Sequence, residues 1–233
     1  MNYNHKDIRM TWVDLDDTLI DFTANAHAAL VLMYQAEPIL QQLFPSAEDW
    51  AQRYERHNMA LWAKYNIGQI SRDFLRMERF RLPLTDAGLP DSEARRLSSR
   101  YDTYYLDLLA TRKRLIPDAI PLLETLRRLG SSIGILSNGF REVQYRKMDA
   151  TGLTPYIDIV VLSDDIGINK PDTRLFDYAK TRTAFSQSTS HLMIGDNPDT
   201  DIAGALKAGW SAIWYNRNNT QATQPQDATQ IST

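Results

Sequence analysis

The sequence predicts an α/β protein with a doubly wound, mainly parallel sheet and an inserted all-helical domain. From Ile116 to about Tyr215, short apolar runs typical of strands alternate with amphipathic helical stretches. Between about Phe22 and Arg112, apolar residues instead recur at helical spacing, and no convincing strand is evident. A further strand at Met10–Val13 comes before this segment. We therefore expect the helical domain to be inserted after the first strand of the α/β core.

The individual elements follow from these patterns. The predicted strands are Met10–Val13, Ser132–Leu136, Ile157–Leu162, His191–Ile194 and Ser211–Tyr215. The predicted helices of the core are Asp118–Leu129, Arg141–Thr151, Arg174–Thr183 and Asp201–Ala208. Turn signals near Pro45, Gly68 and Gly88 divide the inserted segment into four or five helices.

Three regions result from this division. We expect residues 1–21 and 113–217 to form the α/β core and residues 22–112 to form the helical insert. Residues 218–233 are rich in Gln, Thr and Asn and have no apolar periodicity, so we expect a disordered tail there.

Composition and charge exclude several kinds of function. The formal net charge of −3 gives no reason to expect a nucleic acid polymer as partner. The absence of cysteine excludes thiol nucleophiles and thiolate metal ligands, which leaves oxygen and imidazole donors. No apolar run is long enough to span a bilayer, and the first residues lack the apolar segment of a signal peptide. We expect a cytoplasmic monomer or homodimer with no membrane partner.

The first strand runs directly into three acidic residues, Asp14, Asp16 and Asp17. Successive side chains of a strand point to opposite faces, so Asp14 and Asp16 are expected to project to the same side. Two carboxylates this close repel each other unless a cation joins them. The segment is a candidate for a divalent-cation site, a nucleophile, or both; an acidic turn is the structural alternative.

Polar residues follow three more of the predicted strands. Ser137 and Asn138 come after the second strand, where they can cap a helix or help to bind a phosphate. Lys170 comes after the third, and the proline that follows it favours an extended backbone at the lysine. Asp196 and Asp201 come after the fourth and indicate either a cation site or an acidic helix N-terminus.

Ligands of doubly wound sheets bind beyond the carboxyl ends of the strands, so these four groups are expected to converge. Each group has a plain structural explanation by itself, but the set combines carboxylates, a hydroxyl and a lysine at one edge. Mg²⁺ binds to a few carboxylates and keeps several waters, and it can receive a substrate phosphate. The set therefore predicts a Mg²⁺ site that acts on a phosphate ester.

The four segments, in this order, resemble the four motifs of the haloacid dehalogenase-like (HAD) hydrolase superfamily, and the likeness covers nearly the whole core. The helical insert resembles the C1-type cap of that superfamily. Within the superfamily, the chain is most similar to the bacterial pyrimidine 5′-nucleotidase group. The cap residues that carry this closer likeness are Leu61, Trp62, Tyr65, Gly68–Ser71 and Leu75–Phe80.

The resemblance implies a role for each matched catalytic residue. Asp14 matches the nucleophile that forms an aspartyl-phosphate, and Asp16 matches the general acid and base. Asp14, Asp196 and the main-chain carbonyl of Asp16 match the metal ligands. Lys170 matches the lysine that balances the charges of the phosphate and the nucleophile, and Asp201 matches a supporting residue of the metal site.

The resemblance also implies a phosphate site made of Thr18, Ser137, Asn138 and Lys170. The expected enzyme is a Mg²⁺-dependent phosphatase that acts through an aspartyl-phosphate on a small-molecule phosphomonoester, with nucleoside monophosphates as the first choice of substrate. The alternatives are a phosphatase of a sugar phosphate or of phosphoglycolate, a phosphomutase, and a non-catalytic binding protein. A dehalogenase needs neither a second carboxylate nor Mg²⁺, so the presence of Asp16 and Asp196 argues against that activity.

The helical insert offers fewer clues about the substrate. Trp62, Tyr65 and Tyr34 could stack on a base, although aromatic residues at helical spacing more often form the interior of the insert. Arg72, Arg76 and Arg79 form a basic helical set that is also explained as a solvated face.

Overall fold

A computed structural model describes residues 8–217 and 228–231. The chain divides into two compact units. We call the first the core unit; it comprises the described residues up to Phe22 and from Arg114 onward. The second, the helical unit, spans Thr23–Lys113.

The core unit contains a parallel sheet of six strands among the described residues. Along the sheet the order is β3-β2-β1-β4-β5-β6, and every neighbouring pair is parallel. The strands are β1 (Met10–Val13), β2 (Ser132–Ser137), β3 (Ile159–Leu162), β4 (His191–Gly195), β5 (Ser211–Tyr215) and β6 (Thr229–Ile231). Strand β1 lies between β2 and β4, so the chain adds strands first on one side of β1 and then on the other. This order confirms the predicted doubly wound sheet.

The helices lie close to the predicted segments. Those that lie wholly or mainly in the helical unit are α1 (Phe22–Ala36), α2 (Pro38–Leu43), α3 (Ala47–Asn66), α4 (Arg72–Asp86) and α5 (Asp91–Leu109). Those of the core unit are α6 (Ala119–Arg128), α7 (Arg141–Thr151), α8 (Thr173–Thr181) and α9 (Ala203–Lys207). A π-helical turn at Pro198–Ile202 leads into α9. No helix in the described part of the chain has both the length and the apolarity needed to cross a membrane.

Apolar side chains cover both faces of the sheet. Every residue of β1 is buried, as expected for a central strand with helices on both faces. On one face, Trp12 packs in a cluster with Phe176 of α8 and Trp210. On the other face, Val13 packs in a cluster with Leu123 of α6. The two clusters hold the strand ends in fixed positions.

The two chain segments that join the core unit to the helical unit are paired with each other inside the core unit. Ile20 forms an antiparallel bridge with Leu115, and the Asp21 N–H donates to the Arg114 carbonyl at 3.0 Å. The Asp21 carboxylate is buried and accepts from Arg114 Nε at 2.8 Å and from Arg217 Nη1 at 3.0 Å. We call this pairing the neck.

The helical unit has an apolar interior of its own. Aromatic rings from α3, α4 and α5 pack together, with the Tyr54 and Phe80 centroids 4.8 Å apart and those of Phe80 and Tyr105 5.8 Å apart. Arg79 is buried among them and forms an ion pair with Asp102. The interpretation of Arg79 as part of a solvated basic face is therefore wrong, because its charge is neutralised inside the unit.

The predicted start of β3 and the predicted tail need correction. Strand β3 begins at Ile159 rather than Ile157, since the Asp158 side chain accepts the Ile133 N–H at 2.8 Å in place of a backbone carbonyl. The tail at 218–233 is not wholly disordered, because residues 229–231 form β6. The edge of β5 offers unpaired backbone groups, and the tail satisfies them. The rest of the predicted tail, residues 218–227 and 232–233, lies outside the described residues.

Candidate active site

The candidate residues lie at the carboxyl edge of the sheet, around the place where the strand order reverses. Asp14 directly follows β1, and its N–H donates to the carbonyl of Ile194 in β4 at 2.9 Å. Asp196 directly follows β4. Doubly wound sheets bind their ligands at this switch point.

The turn after Asp14 returns Thr18 to the same edge. Two backbone N–H groups of the turn donate to the Leu15 carbonyl at 3.1 and 2.9 Å. Asp17 adopts the left-handed conformation with φ of 56°, which Asp tolerates better than most residues. Thr18 is buried, and its Oγ1 donates to Asp196 Oδ1 at 3.3 Å.

Lys170 is the buried cation at the centre of the site, with 2% of its surface exposed. Its Nζ lies 2.6 Å from Asp14 Oδ1 and 2.7 Å from Asp201 Oδ1, and it donates to the Leu136 carbonyl at 2.7 Å. These contacts use all three protons of the ammonium group. One side chain thus joins Leu136 of β2 to residues that follow β1 and β4.

Asn138 fixes the backbone from which this lysine projects. Its Oδ1 accepts the Lys170 N–H at 2.8 Å, and its Nδ2 donates to the Lys170 carbonyl at 3.0 Å. The sequence indicated a helix cap or a phosphate ligand at Asn138. In the structure its side chain instead pairs with the backbone of Lys170, which belongs to the third predicted motif.

Negative charge exceeds positive charge in this buried cluster. Burial raises the pKa of Asp14 to about 7; Lys170 opposes that shift, and neighbouring carboxylates add to it. Burial, then repulsion from Asp201 and Asp14, raises the pKa of Asp196 to about 9. Burial alone lowers the pKa of Lys170, but Asp14 and Asp201 outweigh it, and the net direction is upward. The carboxylates are therefore short of cationic partners.

The donor set fits a hard divalent cation. Carboxylate oxygens of Asp14, Asp196 and Asp201 lie within 4.8 Å of one another. Asp201 is already engaged, because Lys170 binds its Oδ1 and the Asn197 N–H donates to its Oδ2 at 3.2 Å. The hydrogen bonds that the Asp14 and Asp196 carboxylates accept within the described residues go to the Oδ1 atom of each. Oxygen ligands of this kind are those that Mg²⁺ prefers.

Gly195 allows Asp201 to approach the end of β4. A Cβ atom at Gly195 would lie 2.2 Å from Asp201 Oδ2, far inside van der Waals contact. Any larger residue would therefore displace Asp201 from Lys170. The glycine that precedes Asp196 is therefore required by packing.

Asp16 has two partners that sequence reasoning missed, both on α7. Lys147 Nζ lies 2.5 Å from Asp16 Oδ1, and Gln144 Nε2 donates to Asp16 Oδ2 at 3.0 Å. The Asp16 side chain does not belong to the three-carboxylate cluster. The main-chain carbonyl of Asp16, rather than its carboxylate, was the expected metal ligand, and that role stays a prediction.

Ser137 is tied to the same helix. Its Oγ accepts from Gln144 Nε2 at 2.7 Å and from the Gly139 N–H at 3.2 Å. The structure thus brings the predicted site residues into one connected set, with Gln144 as the link between Asp16 and Ser137. The members are Asp14, Asp16, Thr18, Ser137, Asn138, Lys170, Asp196 and Asp201.

Comparisons with known proteins give a consistent result. The family model described as "haloacid dehalogenase-like hydrolase" matches residues 12–209. Pyrimidine 5′-nucleotidase YjjG of Escherichia coli is 30% identical over 224 residues, which cover 94% of this chain and 91% of that protein. Pyrimidine 5′-nucleotidase PynA of Streptococcus pneumoniae is 30% identical over 213 residues, which cover 90% of this chain and 86% of that protein.

A solved structure agrees with these relatives. The magnesium-bound putative HAD-hydrolase YfnB of Bacillus subtilis superposes with a TM-score of 0.83 at 27% identity, over 96% of this chain and 94% of that one. The family match, the sheet order and the convergence of four strand ends all indicate one family. The chain belongs to the haloacid dehalogenase-like hydrolases.

Proposed function

We propose that the protein is a Mg²⁺-dependent phosphomonoester hydrolase that acts through an aspartyl-phosphate, with nucleoside monophosphates as its substrates. The observation that carries the proposal is the buried contact of Lys170 with Asp14 and Asp201, beside Asp196. Two relatives that cover most of the chain are named as pyrimidine 5′-nucleotidases, which supports the choice of substrate.

In the first step, Asp14 is the nucleophile. Lys170 binds Oδ1 of Asp14, and the other oxygen, Oδ2, attacks the phosphorus atom of the substrate. The bond between phosphorus and the leaving oxygen breaks as the new bond forms. Asp16, in its carboxylic acid form, gives its proton to that oxygen, so the product leaves as an alcohol.

In the second step, water hydrolyses the aspartyl-phosphate. Ionised Asp16 accepts a proton from the water as its oxygen attacks phosphorus. The bond between phosphorus and the Asp14 oxygen breaks, which releases phosphate and restores the Asp14 carboxylate. Asp16 ends the cycle protonated, ready for the next substrate.

The metal site would use the carboxylates of Asp14 and Asp196 and the main-chain carbonyl of Asp16, with Asp201 in support. Mg²⁺ supplies positive charge that offsets repulsion between the phosphate and the carboxylates. The YfnB structure contains magnesium, which supports this choice of cation.

The phosphate site would use Ser137, Asn138, Thr18 and Lys170. Both lone pairs of the Ser137 hydroxyl accept from protein donors, so its own proton is left for a phosphate oxygen. Lys170 adds a fixed positive charge next to the nucleophile. The Thr18 hydroxyl donates to Asp196, so this residue also orients a metal ligand.

A phosphate-release screen with added Mg²⁺ tests the function. We expect release from uridine and thymidine 5′-monophosphates, and we expect EDTA to abolish it and excess Mg²⁺ to restore it. Sugar phosphates and phosphoglycolate serve as competing substrates in the same screen. A preference for either competitor would contradict the choice of substrate, and turnover in EDTA would contradict the role of the metal.

A further inference from the structure

Helix α7 places two buried polar side chains on Asp16. We propose that Lys147 and Gln144 are positioning residues that hold the Asp16 carboxyl group for its proton transfer. The inference rests on the proposed function, in which Asp16 protonates the leaving oxygen.

Each oxygen of the Asp16 carboxylate has its own donor. Lys147 Nζ lies 2.5 Å from Oδ1, and Gln144 Nε2 lies 3.0 Å from Oδ2. Residues three apart on a helix share one face, so a single turn of α7 presents both donors. A carboxyl group gripped at both oxygens cannot rotate about its terminal bond without losing a contact.

Both partners are buried, whereas Asp16 itself is partly open. Gln144 is fully buried and 3% of the Lys147 surface is exposed, while 27% of the Asp16 side chain is exposed. The Lys147 ammonium also lies 4.9 Å from the centroid of the Phe22 ring. Burying a lysine costs free energy unless its charge is paired. The open side of the carboxyl group is the side on which a substrate can meet it.

Gln144 connects Asp16 to the predicted phosphate site. Its Nε2 donates to Ser137 Oγ at 2.7 Å as well as to Asp16. A Cβ atom at Gly139 would lie 2.3 Å from that nitrogen, so the amide packs directly over the glycine backbone. One amide nitrogen thereby sets the position of the acid relative to the loop expected to bind the phosphate.

This arrangement predicts a dependence on the leaving group. An alkoxide needs a proton as it departs, whereas p-nitrophenolate is stable enough to depart without one. Misplacing Asp16 therefore slows transfer from an alkyl ester more than transfer from p-nitrophenyl phosphate. Since kcat/KM reports the steps up to the first irreversible one, it includes this proton transfer and excludes hydrolysis of the aspartyl-phosphate.

The test compares kcat/KM for uridine 5′-monophosphate and p-nitrophenyl phosphate in the wild type and in Lys147→Met. We expect a loss on the order of 10²-fold for the nucleotide and less than about fivefold for the aryl ester. Lys147→Arg, which keeps the charge, should recover most of the nucleotide activity. Lys180→Met is the matched control, since Lys180 pairs with Asp177 on α8 and contacts none of the predicted site residues.

Several outcomes overturn the inference. Equal losses on the two esters would show that Lys147 only supports the structure, and unchanged kinetics would show that it does not act at all. If Lys147→Met fails to fold, Gln144→Met removes the other donor; because it also removes the Ser137 contact, both esters should lose activity, and the nucleotide should lose more. A wild-type enzyme inactive on both esters contradicts the proposed function, and the inference falls with it.

Discussion

Lys170 is a buried cation whose three acceptors come from three different strand ends. Its pKa is shifted upward by Asp14 and Asp201 despite the opposing effect of burial, so it stays charged across the neutral range. Removing that charge would leave two buried carboxylates without their shared partner. Losses of about 3–5 kcal/mol in the free energy of unfolding are typical when one member of a buried ion pair is removed. Stability and the charge balance around Asp14 therefore depend on the same side chain.

Asp14→Asn tests the nucleophile with the smallest change of shape. The amide keeps an oxygen for Lys170 but cannot attack phosphorus, so we expect phosphate release to fall at least about 10³-fold. Circular dichroism and thermal unfolding should show an intact fold. Asp177→Asn, at an exposed position on α8, is the matched control and should keep full activity. Turnover above a few per cent in Asp14→Asn would remove Asp14 from its role.

The predicted site residues could be found from the sequence because each one follows a strand. Parallel strands bring their carboxyl ends to one edge, so Asp14, Lys170 and Asp201 were expected to meet, and they do. Gln144 and Lys147 gave no such signal. They lie inside a helix, where polar residues usually mark a solvated face. Only the adjacency of β2 to β1 turns that face of α7 toward Asp16.

At the scale of elements, predicted strand ends agree best where polar residues immediately follow an apolar run. Strand β1 matches the prediction at both ends, and β5 does as well. The start of β3 differs because a side-chain contact of Asp158 replaces a backbone contact, which apolar patterning does not reveal. Strand β6 was missed because a segment of three residues is too short to show alternation. It forms only because β5 provides an edge.

The first residue of β4, His191, links strand stability to pH. His191 is buried and stacks on Trp210, with ring centroids 4.7 Å apart. Its Nδ1 accepts from Trp12 Nε1 at 3.0 Å, so Nε2 carries the proton and donates to the Phe185 carbonyl at 2.9 Å. Burial lowers the pKa of His191; repulsion from Lys180 adds to this shift, and the Phe185 contact opposes it. Protonating Nδ1 would break the Trp12 contact.

This contact predicts a loss of stability in acid. The unfolded chain binds a proton at His191 with a pKa of about 6.5, whereas the folded chain binds it only at lower pH. The stabilisation from neutral His191 is therefore complete above about pH 6.5 and is lost as the pH falls through the folded pKa. Melting temperatures of the wild type should fall more steeply than those of His191→Gln between about pH 7 and pH 5. Parallel curves would contradict the prediction.

At the scale of the whole molecule, each unit has its own apolar interior. The core unit packs clusters on both faces of its sheet, and the helical unit packs aromatic rings from α3, α4 and α5. The sequence indicated this division because strands alternate with helices in the core segments, whereas apolar residues recur only at helical spacing in the insert. The buried Arg79–Asp102 pair of the helical unit was not foreseen, because periodicity cannot show which charged residue has a partner inside.

The neck predicts that the inserted helices can be deleted without unfolding the core unit. Its two segments pair inside the core unit, so the chain leaves and re-enters at adjacent points. The inserted helices can therefore be deleted and replaced by a tight turn that joins these two points. A chain with residues 23–113 replaced by a short Gly-Asn linker should unfold cooperatively on heating, as a complete domain does. Adding Asp21→Ala removes the ion pairs of the neck and should lower the melting temperature of this shortened protein. If the shortened protein does not fold, the core unit depends on the helical unit for its stability, and the prediction is wrong.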